Sequence, residues 1–315
     1  MKKYMLLFLI LSLSVLCLFG CGRRENKQDN HENTENLATD ESLLVDTAVV
    51  DATEKTLEYC DGNVTVRLRY TEETNWVWVD EPTFPLNGDM VEELLAALRE
   101  LGDLPALPLG GEPDLFGLDN PHRYLTMEVE EGRLHLSLGD QAEDGTWYMA
   151  VEGYEGIYAC PDSFMKLMQR SLYDMAILPA VPAFTAENIL RVTVENAEGS
   201  VALHKVDGQW KGSHQRITER AEEVLACLGS MQVSRCFDFL PSSQAIHLCG
   251  FSQPTASITV EYLNSVNVES SFQMTLGSLR SAEDGYYFTM GEDSSIYLIP
   301  SAAVSPLLVL LIYSK

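Results

Sequence analysis

The chain has 315 residues, with 21 basic against 47 acidic side chains and a formal net charge of −26 at pH 7. This acidic excess argues against nucleic acid or an anionic bilayer as the surface that the folded body binds. It is typical of a protein that must stay soluble outside the cell. Solubility is therefore favoured over specific cation binding as the explanation of the acidic excess.

The N-terminus has the features of a secretory signal. Two lysines precede an uncharged, mostly apolar run that ends at Gly20, and Cys21 follows directly. This order of basic, apolar and small residues is typical of signal peptides. The stretch from Leu18 to Cys21 resembles the bacterial lipobox, in which the cysteine is diacylated and becomes the new N-terminus. We therefore predict a lipoprotein signal peptide over residues 1–20 and lipid attachment at Cys21.

An uncleaved membrane anchor is the alternative, because the apolar run is close to the shortest length that spans a bilayer. The lipoprotein is favoured because a cysteine follows Gly20 directly. Residues 21–52 are predicted to comprise this lipidated cysteine and a disordered acidic tether, since residues 22–43 are too polar to offset ordering entropy. The predicted location is the cell membrane, with the lipid-anchored body facing outside the cytoplasm.

Residues 53–180 are predicted to form a first α+β domain. Residues 56–60 and 64–70 alternate in polarity on either side of a Gly-Asn turn, which is a hairpin signal. Asn87 can cap a long helix whose apolar residues recur on one face. Further alternating strands follow, and a short helix is expected after Pro161. The expected domain is a mostly antiparallel β-sheet covered by one long and one short helix.

The same pattern recurs in residues 184–313, where Thr218 is the predicted helix cap. Ala142-Glu143-Asp144-Gly145 returns letter for letter as Ala282-Glu283-Asp284-Gly285. Other matched positions are Trp76 and Trp210, residues 92–98 and 222–228, Gly117-x-x-x-Pro121 and Gly250-x-x-x-Pro254, and Leu138-Gly139 and Leu276-Gly277. The difference in residue number between matched positions changes only where turns are expected, and loops tolerate such changes in length. The predicted fold is therefore α+β, with two tandem homologous copies. Residues 307–312 are too short to span a bilayer and should pack as the last element.

These elements resemble a bacterial family of domains of unknown function, number 4340. The resemblance is carried by Trp76, Phe84-Pro85-Leu86, Gly117-Leu118-x-x-Pro121, Leu138-Gly139-Asp140, Trp147-Tyr148 and Ile157-Tyr158, and it extends over residues 53–313. It implies a membrane-anchored envelope protein, in some members encoded beside ABC-type transporters. These motifs are structural, so no catalytic residue can be transferred. The second copy departs from the pattern at Phe251 and Ser278.

Few residues suggest chemistry. Cys236, Asp238, His247 and Cys249 form the closest metal or thiol candidate, but their spacing matches no standard site. The paired acids of the two Ala-Glu-Asp-Gly turns could serve acid–base work or cation binding, yet Asp-Gly is also what a tight turn requires. We predict no catalytic, cofactor-binding or metal-binding residue.

Two further residue types favour structural roles. Trp76 and Trp78 share one face of a strand, where they form either a sugar-stacking platform or, the favoured interpretation, part of the core. The five cysteines of the body are expected to be small core residues: Cys60, Cys160, Cys227, Cys236 and Cys249.

The expected function is that of a non-enzymatic, membrane-anchored lipoprotein. Its body would be a protein-interaction or transporter-accessory module whose partner is an envelope protein or an ABC-type transporter, with no nucleic acid involved. The alternative is a solute-binding lipoprotein with a ligand cleft between the two copies. A hydrolase that uses carboxylates or His247 at that groove ranks last.

Overall fold

The computed structural model describes Val45 and residues 47–109, 112–130 and 132–314. All of them belong to one unit, which spans Asp40–Lys315. The predicted signal peptide, the predicted lipid site at Cys21 and most of the predicted tether lie outside the described residues.

Seven strands build the first sheet: β1 (Lys55–Asp61), β2 (Thr65–Thr71), β3 (Asn75–Trp78), β4 (Arg123–Val129), β5 (Gly132–Gln141), β6 (Trp147–Val151) and β7 (Tyr158–Cys160). Their order is β3-β2-β1-β4-β5-β6-β7, and every neighbouring pair is antiparallel. The predicted hairpin between residues 56–60 and 64–70 is confirmed as β1 and β2.

Alternating burial on the strands creates one apolar face of this sheet. In β1, Leu57 and Tyr59 are buried, and Leu57 pairs with Leu68 on one side and Met127 on the other. Helices α2 (Gly88–Glu100) and α3 (Asp162–Met168) supply the other side of the core. Their buried side chains are Val91, Leu94, Leu95 and Leu98 in α2, and Phe164, Met165 and Met168 in α3. Burial of these side chains is the main favourable term in the stability of this half.

The start of α2 confirms the predicted cap. The side chain of Asn87 accepts a hydrogen bond from the backbone N of Asp89 at 3.1 Å. This bond satisfies one of the free N–H groups of the first helical turn. Asp89 lies in the first turn of the helix and Arg99 in the last, which suits the helix dipole at both ends.

The second sheet has eight strands: β8 (Ile189–Asn196), β9 (Gly199–Val206), β10 (Gln209–Gly212), β11 (Arg235–Asp238), β12 (Ala256–Leu263), β13 (Glu269–Arg280), β14 (Gly285–Met290) and β15 (Ile296–Pro300). Their order is β10-β9-β8-β12-β13-β14-β15-β11, again with antiparallel neighbours. The connectivity of the first sheet recurs here, with β11 as one additional strand at the edge beyond β15.

Four helices accompany the second sheet: α4 (Gln215–Thr218), α5 (Ala221–Gly229), α6 (Ser243–Leu248) and α7 (Ser305–Leu310). The predicted capping role of Thr218 is wrong, because α4 intervenes and α5 begins after Arg220, whose side chain makes no capping bond. The hydroxyl of Thr218 instead accepts a hydrogen bond from the backbone N of Gly212 at 2.8 Å. Thr218 therefore links α4 to β10.

The last elements of the chain pack onto the second half, as predicted. Leu307 and Leu310 of α7 are buried, and a 3-10 turn at Leu311–Tyr313 follows. In the part of the chain that the structure describes, no helix has both the length and the apolar character needed to cross a membrane.

The folded body begins before the predicted boundary at residue 53. Helix α1 (Thr47–Asp51) lies within the segment that the sequence analysis places in the tether, and Val45, Val49 and Val50 are buried. The carboxylate of Asp51 also pairs with Arg99 of α2 at 2.7 Å. Three valines in six residues supply the apolar surface that the preceding polar residues lack, so the boundary moves to Val45.

Lys55 fastens α1 to the first sheet. Its Nζ donates a 2.6 Å hydrogen bond to the carbonyl of Val50 and lies 5.0 Å from the ring centroid of Tyr70. It is also 5.6 Å from the ring centroid of Trp76. Burial lowers the pKa of the Lys55 ammonium below its ordinary value of 10.5, against the opposing effect of Glu92.

We expect the stability contribution of Lys55 to rise with pH between its lowered pKa and 10.5. Below this interval Lys55 is charged in both states, so the full cost of burying the charge is present. Within it the folded protein loses the proton before the unfolded chain does, and the cost disappears. In urea unfolding experiments, the stability of the wild type relative to Lys55→Met should therefore increase across this interval.

Lys166 provides the control for this prediction. It is exposed, and its ion pair with Asp162 raises the pKa of the Lys166 ammonium. The stability of the wild type relative to Lys166→Met should therefore not increase with pH. A flat difference for Lys55→Met over the same interval would contradict the predicted role of burial.

Candidate functional site

A short helical turn in the first half ends at a left-handed glycine. The 3-10 helix Pro113–Phe116 is followed by Gly117 at φ 69°. The N of Gly117 donates to the carbonyl of Asp114 at 3.3 Å, and the N of Leu118 donates to that of Pro113 at 2.9 Å. These two bonds form a Schellman cap, which favours glycine at the left-handed position. We call residues 113–118 the first leucine turn, after Leu115.

The second half contains the same turn at the end of α6. Gly250 has φ 87°, its N donates to the carbonyl of His247 at 3.0 Å, and the N of Phe251 donates to that of Ile246 at 3.1 Å. Both bonds span the same number of residues as in the first half. We call residues 246–251 the second leucine turn, after Leu248. The repeated Gly-x-x-x-Pro motif of the sequence thus marks one local structure in each half.

Each leucine turn is pressed against a second glycine in the sheet. A Cβ on Gly139 of β5 would lie 2.1 Å from the carbonyl oxygen of Phe116, and a Cβ on Gly277 of β13 would lie 2.1 Å from that of Cys249. The strand pairing to β6 and to β14 shifts register at these glycines, between Leu138 and Gln141 and between Leu276 and Leu279. The glycine of each repeated Leu-Gly motif therefore lies in close contact with the backbone of the leucine turn. We call this contact the glycine clasp of that half.

The residue after the sheet glycine completes the clasp. A Cβ on Gly117 would lie 2.8 Å from Cγ of Asp140, and a Cβ on Gly250 would lie 2.1 Å from Oγ of Ser278. The N of Ser278 also donates to the carbonyl of Cys249 at 2.8 Å. Ser278, which departs from the family pattern in the sequence, thus occupies the place of Asp140 in the other half.

Both clasps hold a leucine out to solvent. Leu115 is 69% exposed and Leu248 is 70% exposed, and each directly precedes a buried residue, Phe116 or Cys249. The buried residue anchors the turn, while the leucine one position earlier contributes little to the core. Neither leucine was predicted from the sequence. The signal that could have found them is their position two residues before the repeated glycine.

The surroundings of the two leucines differ in charge. Three exposed acids lie close in sequence to Leu115: Glu112, Asp114 and Asp119. Near Leu248 the exposed side chains are mostly neutral or apolar, including Ile246. His247 shares a 3.1 Å hydrogen bond with the hydroxyl of Ser252. Leu115 is therefore an exposed apolar side chain with acidic neighbours in sequence, and Leu248 is one whose neighbours are mostly neutral.

The two halves meet through aromatic and ionic contacts. The ring centroid of Phe84 lies 5.8 Å from that of Tyr173 and 5.4 Å from that of Phe239 in the second half. Leu240 follows Phe239 at φ 57°, an unusual conformation for leucine, and is 56% exposed. The Phe84 cluster thus joins the loop before α2 to the end of β11.

Charged groups surround this cluster. Arg235 of β11 lies 3.7 Å from Asp174 in the first half and 3.5 Å from Glu283 in the second. The hydroxyl of Tyr173 donates to Asp238 at 3.4 Å, and burial raises the pKa of the Asp238 carboxyl. The additional strand β11 therefore makes polar contacts with the first half through Arg235 and Asp238.

The residues of the predicted metal or thiol candidate have structural roles, although Asp238 lies near both Cys236 and Cys249. Cys236 and Cys249 are buried, and burial raises the pKa of the Cys236 thiol to about 11, which disfavours the reactive thiolate. His247 is exposed and bonded to Ser252. Within the described residues, no group of three or more His, Cys, Asp and Glu side chains is arranged to hold a metal ion.

The identical Ala-Glu-Asp-Gly segments adopt different turns. In the first, Gly145 takes φ 88°, and Asp144 accepts hydrogen bonds from Thr146, which lower the pKa of its carboxyl. In the second, Asp284 takes φ 46° and accepts from the hydroxyl of Ser301 at 2.7 Å. Both aspartates are thus engaged in local structure, and the two pairs of acids do not form equivalent sites.

The remaining candidates also make structural contacts. Trp76 is buried, as predicted, and its indole donates to Glu92 of α2 at 2.7 Å. Trp78 is only partly buried and packs against the core. His135 of β5 shares a 2.8 Å hydrogen bond with Thr126 of β4, and burial lowers the pKa of its imidazole. The core role predicted for cysteine is confirmed for four of the five; Cys60 is only half-buried.

Two open depressions occupy corresponding places in the halves. One, of about 600 Å³, lies between the segment that enters β1 and the β4–β5 turn, with Val49 and Glu130 in its lining. The other, of about 530 Å³, lies between the segment that enters β8 and the β12–β13 turn, with Asn188 and Asn264 in its lining. The first is lined by residues of the first half, and the second also by Pro182 and Ala183 of the segment that joins the halves. Neither is lined by Phe84, Tyr173 or Phe239, where the halves meet and where the solute-binding alternative would place its ligand.

The model of a family described as "Domain of unknown function (DUF4340)" matches residues 76–245, which is more than half of the chain. The protein belongs to this family. The matched region begins at Trp76 in β3 and ends in α6. It therefore includes the first leucine turn and all three rings of the Phe84 cluster, Phe84, Tyr173 and Phe239. No curated protein and no solved structure is significantly similar to the chain.

Proposed function

We propose that the protein is a membrane-anchored lipoprotein of the bacterial cell envelope. Its body would be a protein-interaction or transporter-accessory module without catalysis, facing outside the cytoplasm, with an envelope protein or an ABC-type transporter as its partner. The anchor would be a diacylglyceryl group on Cys21, as the basic, apolar and Gly-Cys order of the N-terminus indicates.

A non-catalytic role is supported by the contacts of the side chains that could act as acids or bases, because these side chains are bonded to other residues of the protein. Asp144 is bonded within its own turn, His135 bridges two strands, and Glu283 pairs with Arg235 and Arg280. A catalytic acid, base or nucleophile needs a free face toward a substrate pocket. These contacts favour a body that works through its surface.

We further propose that the two halves are tandem homologous copies, approximately residues 53–180 and 184–313. The long covering helix would be α2 in the first and α5 in the second, and the short one α3 and α7, with α4 and α6 as additions to the second copy. The shared strand order and the paired glycine clasps support this origin, because both combine distant parts of the chain in the same way. Since α1 packs on the first half, that copy would extend to Val45.

A co-purification experiment tests the interaction role. The protein, with an affinity tag at its C-terminus, would be expressed in its own cells, crosslinked mildly, solubilised in detergent and recovered. We expect one envelope protein or transporter subunit to be enriched reproducibly over an unrelated tagged lipoprotein. Failure to enrich any protein across replicate preparations would contradict the proposed function, because an interaction module must have a partner.

A further inference from the structure

We propose that the two leucine turns are equivalent docking points for one protein partner, with Leu115 and Leu248 as the side chains that enter it. This inference rests on the proposed function and names the surface that carries it. The partner would offer two apolar pockets, and the pocket for Leu115 would be rimmed by lysine or arginine.

The two leucines are presented to solvent in the same way. Each lies one residue before the buried anchor of a Schellman-capped turn, and a glycine clasp fixes the backbone of that turn. Their exposed fractions, 69% and 70%, are nearly equal. A rigid backbone loses little conformational entropy on binding, so an apolar side chain placed on it is suited to act as an anchor.

The fold does not need a leucine at either position. The clasps are formed by the neighbours Phe116 and Cys249, whose carbonyl oxygens face the sheet glycines. A polar residue at either leucine position would keep the cap and improve solubility. One exposed leucine needs no explanation, but two at the same place in two halves point to a shared use.

Charge identifies the class of partner. The chain carries a net charge of −26, so a second copy would be repelled and an anionic bilayer would not attract the body. The exposed acids Glu112, Asp114 and Asp119 lie close in sequence to Leu115. They favour an opposing surface with lysine or arginine around the pocket for Leu115, because charges across an interface are complementary. The occupant that fits is a protein surface that is apolar at its centre and basic at the edge of the first pocket.

Site-specific photocrosslinking in the native cells tests the proposal. A benzophenone amino acid would replace Leu115 or Leu248, and, as controls, Val64 or Val266, which are exposed apolar residues in hairpin turns. We expect adducts from positions 115 and 248 to contain the same partner polypeptide. Peptide mapping should place the position-115 adduct beside lysine or arginine in the partner, and added salt should weaken that adduct more than the other.

A substitution series in the full-length protein provides the second measurement. Leu115→Ser and Leu248→Ser together should reduce recovery of the mapped partner at least about tenfold, the size expected for losing anchor side chains. Val64→Ser with Val266→Ser should leave recovery unchanged. Both pairs are exposed, so the melting temperature should change little and will show that each variant is folded.

Several outcomes would overturn the proposal. These are adducts only to lipid or to a second copy, equal adducts from positions 64 and 266, no adduct from 115 and 248, or full partner recovery by the double serine variant. If the wild type still enriches a partner under any of them, the leucine turns are excluded while the proposed function stands. If the wild type enriches none, the proposed function fails with it.

Discussion

Gly139→Ala is expected to destabilise the protein by about 3 kcal/mol, at the upper end of the cost of overpacking a core. The new Cβ would lie 2.1 Å from the carbonyl oxygen of Phe116, and the obstructing atom is backbone that cannot rotate away. The first leucine turn would have to move off β5. For a body of this size the melting temperature should fall by roughly 6–10 °C in a thermal unfolding experiment. Gly277→Ala should behave in the same way, because its Cβ would meet the oxygen of Cys249 at the same distance.

Gly145→Ala separates steric clash from backbone strain. Gly145 has φ 88°, and a Cβ there would find no atom within 4 Å, so this variant should cost only the strain of a left-handed alanine, about 1–2 kcal/mol. The clasp explanation requires the Gly139 and Gly277 variants to be clearly less stable than this control. Equal stabilities of all three variants would show that the sheet glycines are retained for another reason.

The glycine clasps were only partly predictable from the sequence. The recurrence of Gly117 and Leu138-Gly139 in the second half marked these positions as structural, but it could not reveal that they touch. Phe116 and Gly139 are distant in sequence, and no propensity or periodicity encodes a contact between a turn and a strand bulge. The exposed leucines were missed for the same reason, since the outward direction of a side chain in a turn follows from the contact that fixes the turn.

Elements with a strong periodic signal were predicted well. The β1–β2 hairpin, α2 with its Asn87 cap, and the antiparallel α+β class follow from local alternation, helical spacing and capping chemistry. Short elements without such a signal were not found. Helix α1 has five residues, and strand β11 has four, with its place fixed by pairing to β15 and by contacts with the first half.

Identical residues did not guarantee identical structure. The second Ala-Glu-Asp-Gly segment places Asp284, not the glycine, in the left-handed conformation, and Gly285 begins β14. Glu283 of this turn also pairs with Arg235 and Arg280. Tertiary contacts therefore select among the turns that one four-residue segment can form, and the paired acids do not yield two matching sites.

Cys21→Ala is expected to abolish lipid attachment and leave the precursor uncleaved. The motivation is the order of two lysines, an uncharged apolar run and Gly20-Cys21, in which the Cys21 thiol is the nucleophile able to carry a thioether-linked diacylglyceryl group. Labelling with a radioactive fatty acid should give a signal for the wild type and none for the variant. In detergent phase partitioning, the wild type should enter the detergent phase, because two acyl chains are enough for stable anchoring.

Cys17→Ala is the matched control, because Cys17 lies inside the apolar run and would leave with the signal peptide. This variant should be labelled and processed like the wild type. The melting temperature of the folded body should be the same in all three proteins, since Cys21 precedes the first described core residue, Val45. Label on the Cys21→Ala protein, or a wild type that stays in the aqueous phase, would remove the basis for placing this protein on the membrane. The search for its partner would then have to move to another compartment.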